Sequence, residues 1–241
     1  MNITPMSTDG ISVGGAQLVR LMNWLSPSFP VGAYSYSHGI EYAVETGLIH
    51  DRDTLRDWIS EVIAAGTGRV DADLHRAAHE AVRNRDETLF IWALEHGDAM
   101  RATRELGEET ENQGQAFLTA VARPWPATGL DWAREKAAEQ QRPMVYPVAV
   151  GAVAAAQDIP LEPALVAYLH ALAANLVSAG IRLIPLGQSD GQQALADLEP
   201  VILDAVAQAL ERDREDIGQA ALMVDWASAR HETQYTRLFR S

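Results

Sequence analysis

His75 and His79 are the residues whose type and spacing first suggest chemistry. They stand four apart, with Asp71 and Asp73 just upstream, so on a helix two imidazoles would share one face and could bind a divalent metal. The run HRAAHE lacks the internal glutamate of the metalloprotease motif, and two histidines leave a metal site incomplete. The expectation adopted is a solvated or partly packed helix face, with His75 and His79 as metal candidates only if a third ligand converges on them. The segment SPSFPVGAYSYSHGIEYAVETG, Ser26 to Gly47, gathers serines, tyrosines and His38, but it contains no G-x-S-x-G elbow and follows no strand that could hold a strained nucleophile. Ser35 or Ser37 is expected as a helix cap, approached through Pro27 and Pro30. Capping does not call for Tyr34, His38 and Glu41 in the same few residues. Tyrosine supplies contact area at small entropic cost, so a recognition surface built on the turn is the functional reading.

Lys136 is the only lysine, and it sits in the charged stretch DWAREKAAEQ with no glycine loop before it. Phosphate-loop and Schiff-base chemistry both need a lysine in a different setting. Cysteine is absent, which removes disulfides, thiolate metal sites and cysteine nucleophiles. The net charge of −14 repels phosphate backbones and anionic lipid, so neither nucleic acid nor a membrane is expected as a partner. No basic-then-apolar leader opens the chain, and no uncharged stretch is read as long enough to span a bilayer. A cytoplasmic location is the expectation.

The elements that must position these residues are helices. Apolar residues recur at three- and four-residue spacing, without sustained alternation, and the 241 residues are 47% hydrophobic, enough for one sizeable core. The fold class is therefore all-α, a single compact bundle of about ten helices. They are placed at roughly 17–25, 36–46, 53–66, 71–84, 86–122 with a break near Gly97, 128–141, 147–157, 161–179, 190–211 and 213–227. Asp53 and Asp86 are read as N-caps, Gly47, Gly97 and Gly180 as C-terminal caps, Pro147 and Pro163 as first-turn prolines, and RPWPATG (123–129) as a break. The division is a flexible 1–15, a helical domain 16–227 and a tail 228–241.

Two further segments stand out. In IRLIPLGQSDGQQALADLEP, Gly187 and Gly191 bracket Gln188 and Asp190, read as a mobile loop offering amide and carboxylate groups to a partner. In ASARHETQYTRLFRS, aromatics alternate with arginines where a frayed end would carry small polar residues. Docking of this tail onto its own domain and onto another protein both stay open.

Three strings, LSPSFPVGAYSYSHGIE, NLVSAGIRLIPLGQSDGQ and SARHETQYTRLFRS, together resemble the urease accessory proteins called UreF. A fourth string, RATRELGEETENQGQAFL, departs from the family's pattern in carrying Gln113 before Gly114, and no role is transferred to it. The resemblance implies a homodimer that is no enzyme and has no intrinsic cofactor. It implies assembly with UreD (also called UreH), the GTPase UreG and apo-urease, with nickel handled by the complex and the GTPase linked or gated. Partner contact is carried onto Tyr34, Ser35, Ser37, His38 and Glu41, onto Gly187, Gln188, Asp190, Gly191 and Gln192, and onto Arg230, His231, Glu232, Tyr235, Arg237 and Phe239. The competing readings are a helical metal-dependent hydrolase using His75 and His79, and a generic helical scaffold.

Overall fold

A computed structural model describes residues 13–241, so most of the segment expected to be flexible, 1–12, lies outside the described residues. Among the described residues there are eleven α-helices and no strand. They are α1 (Gly15–Trp24), α2 (Ile40–Glu45), α3 (Arg52–Ala64), α4 (Thr67–Asn84), α5 (Glu87–Ala99), α6 (Arg104–Ala122), α7 (Thr128–Gln140), α8 (Tyr146–Ala156), α9 (Leu161–Leu183), α10 (Gln188–Glu211) and α11 (Leu222–His231). The all-α expectation holds.

The bundle is organised around α4 and α8. The α8 sequence YPVAVGAVAAA is apolar on every side, and every residue from Pro147 to Ala155 is buried. Its small side chains let backbones approach: a Cβ on Gly151 would come within 2.4 Å of the His75 carbonyl oxygen on α4. This approach corrects the expectation of a solvated histidine face, because His75 is fully buried and His79 is 2% exposed.

Several boundaries differ from the expected ones for identifiable reasons. Asp51, not Asp53, caps α3, its carboxylate accepting the Thr54 N–H at 2.8 Å. Asp86 caps α5 as expected. Gly47 does adopt the left-handed conformation after α2 (φ 77°). Gly97 and Gly180 do not end helices. They lie inside α5 and α9, where a Cβ would meet Val145 at 2.6 Å and Leu55 at 2.4 Å respectively. The long 86–122 element breaks at Met100–Thr103 instead. α2 starts only at Ile40, after Gly39 at φ 77°. The expected 213–227 helix is a short 3₁₀ turn followed by α11.

α9 corrects the reading of charge-free stretches, since Pro163 to Ile181 holds no Asp, Glu, Lys or Arg. With a mean hydropathy of 1.6 over its most apolar window, it is long and apolar enough to cross a membrane by composition. In the fold its inner face, including Leu165, Leu169, Leu176 and Val177, packs into the bundle.

Candidate partner-docking site

The tail folds back onto the first segment. α11 delivers His231 to a fully buried position between two carboxylates, with Nδ1 2.8 Å from Glu105 Oε2 and Nε2 3.2 Å from Glu41 Oε2. Glu41, in the first turn of α2, also accepts the Leu238 N–H at 2.6 Å and the Phe239 N–H at 2.9 Å. Such backbone bonds to an ionised acceptor are stronger than neutral ones. Arg237 pairs with the other oxygen of Glu105. Phe239 is buried, and the Arg182 guanidinium from the last turn of α9 lies 4.3 Å from its ring centre and 3.7 Å from that of Tyr34. The Arg240 N–H donates to the Ser35 carbonyl (2.8 Å), and the Ser37 N–H to the Ser241 carbonyl (2.7 Å).

Beneath this strap lies a polar interior. The Ser241 hydroxyl donates to Glu109 Oε2 at 2.7 Å, and Glu109 Oε1 faces His38 Nε2 at 3.0 Å. His38 sits in the left-handed region (φ 51°), a costly conformation for a non-glycine residue, and Gly39 beside it allows α11 to press close. A Cβ on Gly39 would lie 2.8 Å from the Ser228 nitrogen. Burial pulls the His38 pKa down, but the charge and hydrogen bond of Glu109, helped by Asp71, more than offset that and leave it raised. Asp71 accepts from Arg101 Nη1 at 2.7 Å and from the Tyr168 hydroxyl at 2.8 Å.

Of the residues expected to touch a partner, Ser37, His38, Glu41, Gly191, His231 and Phe239 are buried against their own chain. Tyr34, Gly187, Gln188, Gln192, Arg230, Glu232, Tyr235 and Arg237 are exposed, with Ser35 and Asp190 half-buried. The glycine-bracketed segment is not a mobile loop: Gln188 to Gln192 form the first turn of α10, and Asp190 accepts the Gly187 N–H at 2.9 Å. Gly191 is a packing glycine, since a Cβ there would come within 2.3 Å of Ile181. Glu105, Glu109, Arg101 and Arg182 were not singled out by the sequence reading. Glu105 and Glu109 lie in the string to which no role was transferred, and their i, i+4 spacing on one face of α6 was the available signal.

No group of three His, Asp or Glu side chains able to hold a metal occurs among the described residues. His79 Nε2 lies 2.8 Å from the Ile159 carbonyl, and His75 has no hydrogen-bond partner at either nitrogen. Burial, with a smaller contribution from His79, pulls the His75 pKa down to about 3.

These features define a class: an all-helical protein with a histidine- and carboxylate-fastened tail over a polar interior. The family model for UreF matches residues 49–199, more than half of the chain. The chain is similar to Urease accessory protein UreF of Rhodopseudomonas palustris strain BisB5, with 47% identity over 226 residues covering 94% of this chain and 92% of that one. It is 47% identical over the same length to the UreF of Bradyrhizobium diazoefficiens, and 46% identical over 230 residues, 95% and 96% of the two chains, to that of Granulibacter bethesdensis. The chain belongs to the UreF family of urease accessory proteins, a family of helpers and not of enzymes.

Proposed function

We propose that this protein bridges UreD (UreH) and the GTPase UreG in a cytoplasmic complex that delivers nickel to apo-urease, and that its docked tail presents the contact surface for UreD. The observation that carries the reading is the outward face of the strap. Trp226 and Tyr235 are 44% and 103% exposed, and Leu222, Met223 and Leu238 are exposed as well, along α11 and the tail. Aromatic and arginine side chains on a rigid support are the usual anchors of protein interfaces, and Arg230 and Arg237 stand among these. The buried members of the expected set then act indirectly, by fixing the tail.

A second surface supports the implied homodimer. α1 exposes Leu18, Val19 and Met22 beside a groove of about 900 Å³ between α1 and α9, lined by Leu21, Val166 and Ala167 among others. The half of α9 that does not face the core would be covered there by a second copy. The strong negative charge suits partners with basic patches, chiefly by speeding encounter. Nickel is cargo of the assembly in this reading. Gating of UreG belongs to the same proposal and rests on the family resemblance alone.

The test is reconstitution of urease activation from apo-urease, UreD, UreG and nickel, with either the wild type or the Trp226→Ala/Tyr235→Ala variant. Activation by the variant should drop to the level seen without this chain. Full activation by a normally folded variant would overturn the assignment of this surface.

A further inference from the structure

A chamber of about 290 Å³ lies under the first segment, between α4, α6, α8 and α9. It opens to solvent past Pro27, Tyr34, His170 and Ser178, all of them exposed. The charged groups on its wall come in pairs: Asp71 accepts from Arg101 Nη1 at 2.7 Å, and Glu109 Oε1 faces His38 Nε2 at 3.0 Å. With His38 protonated these four groups sum to zero, and with it unprotonated they carry one negative charge. Neither state suits an anion, and the guanidinium in the wall opposes a cation.

Three hydrogen-bond donors in the same wall are unused among the described residues. The Arg101 side chain is 6% exposed, and its buried Nη2 has no partner. The Tyr146 hydroxyl makes no hydrogen bond, and Thr110 Oγ1 accepts the Tyr146 N–H at 3.2 Å without donating its own proton. A guanidinium nitrogen left without an acceptor at such depth is unfavourable, so an oxygen brought to it is stabilised. We propose that the chamber is a binding site for a small neutral amide, whose carbonyl oxygen takes the unused donors near Arg101.

The rest of the wall fits the other parts of such a molecule. Asp71 and Glu109 are acceptors with lone pairs beyond those already engaged, and the amide N–H groups are the donors that match them. Phe29, Val31, Leu106 and Leu172 offer apolar surface to a hydrocarbon body. A mostly apolar lining with a few placed polar groups is the usual construction of a small-molecule pocket. A carboxylate ligand would add a negative charge beside Asp71 and Glu109, and a hydrocarbon would leave Arg101 Nη2 unpaired. The site belongs to this chain alone and does not depend on which protein docks on the tail.

The probes are benzamide, benzoate and toluene, which share a ring and differ at the polar end. Each is titrated into the full chain and followed by saturation-transfer NMR. Benzamide is expected to bind saturably, with benzoate and toluene weaker by about tenfold or more. Tyr146→Phe removes a hydroxyl that no hydrogen bond of the fold uses, and should weaken benzamide about threefold. Ala174→Phe, on the α9 side of the wall, should fill the chamber and abolish binding. If that variant does not fold, Tyr146→Phe still decides. Absence of saturable benzamide binding would overturn the site, as would benzoate or toluene binding equally well. So would a benzamide affinity unchanged in both variants, which would place the ligand elsewhere.

Discussion

His75 shows at the scale of one residue how far burial can change what a side chain is for. Two histidines four apart suggest a ligand pair, yet α8 arrives from seventy-odd residues later in the chain and closes over the first of them. An imidazole without partners costs free energy that an apolar side chain of similar size would not, so His75→Leu should melt no lower than wild type at pH 7.5. The sign with pH follows from linkage. With its pKa lowered from 6.5 to about 3, His75 carries no protonation penalty above pH 6.5, and stability is lost progressively as the pH falls from there toward 3. The slope in that window approaches about 1.4 kcal/mol per pH unit for one such group. His75→Leu should therefore lose less stability than wild type between pH 6.5 and 4.5 in chemical denaturation. His38 works in the opposite sense. Its raised pKa gives a contribution that is complete below pH 6.5 and lost as the pH climbs through the raised value. His38→Gln should flatten the alkaline limb of the stability profile, and an unchanged limb would remove the Glu109 pairing from the explanation. The sequence made the spacing of His75 and His79 readable, but not their burial. Glu109, the centre of the polar interior, gave no signal beyond its place on α6.

Among the elements, the glycines mark where sequence reading divides. Gly47 was legible as a helix end because it needs only the local freedom of a left-handed residue. Gly97 and Gly180 were misread, since their role is to let Val145 and Leu55 approach, and those partners are distant in sequence. The same limit applied to the string LGQSDGQ: glycines and polar residues fit a loop, yet Asp190 makes them a capped helix start. Helix existence was legible throughout because the apolar period is local. Gly39 joins both roles, having a positive φ and an α11 backbone 2.8 Å from where a Cβ would stand. Gly39→Ala should then cost roughly 1–3 kcal/mol and loosen α11, read as a lower denaturation midpoint and faster amide exchange in Leu222–His231. A variant as stable as wild type would mean that α11 shifts freely, against its close docking on Gly39.

For the molecule as a whole, apolar periodicity told the fold class, the resemblance of three strings told the family, and the unusual tail told where to look. None told that the tail meets its own chain: Leu238 and Glu41 are 197 residues apart, and long-range pairings of that kind leave no local pattern. Once docked, the tail divides its side chains into an inner set that fastens and an outer set that faces solvent, including Tyr235 and Leu238. The α1/α9 groove is another uncovered apolar region among the described residues, and Met22→Glu, at a residue 69% exposed, should leave the proposed dimer monomeric in sedimentation velocity without lowering the melting temperature. A dimer that persists would place the self-contact elsewhere. The proposed grip on UreD through the outer face of the strapped tail is tested most directly by the dissociation constant for purified UreD, measured with wild type and with Trp226→Ala/Tyr235→Ala. The expected loss is about 2 kcal/mol or more, roughly thirtyfold in affinity, with the melting temperature unchanged. Equal affinity of the two proteins for UreD would contradict it.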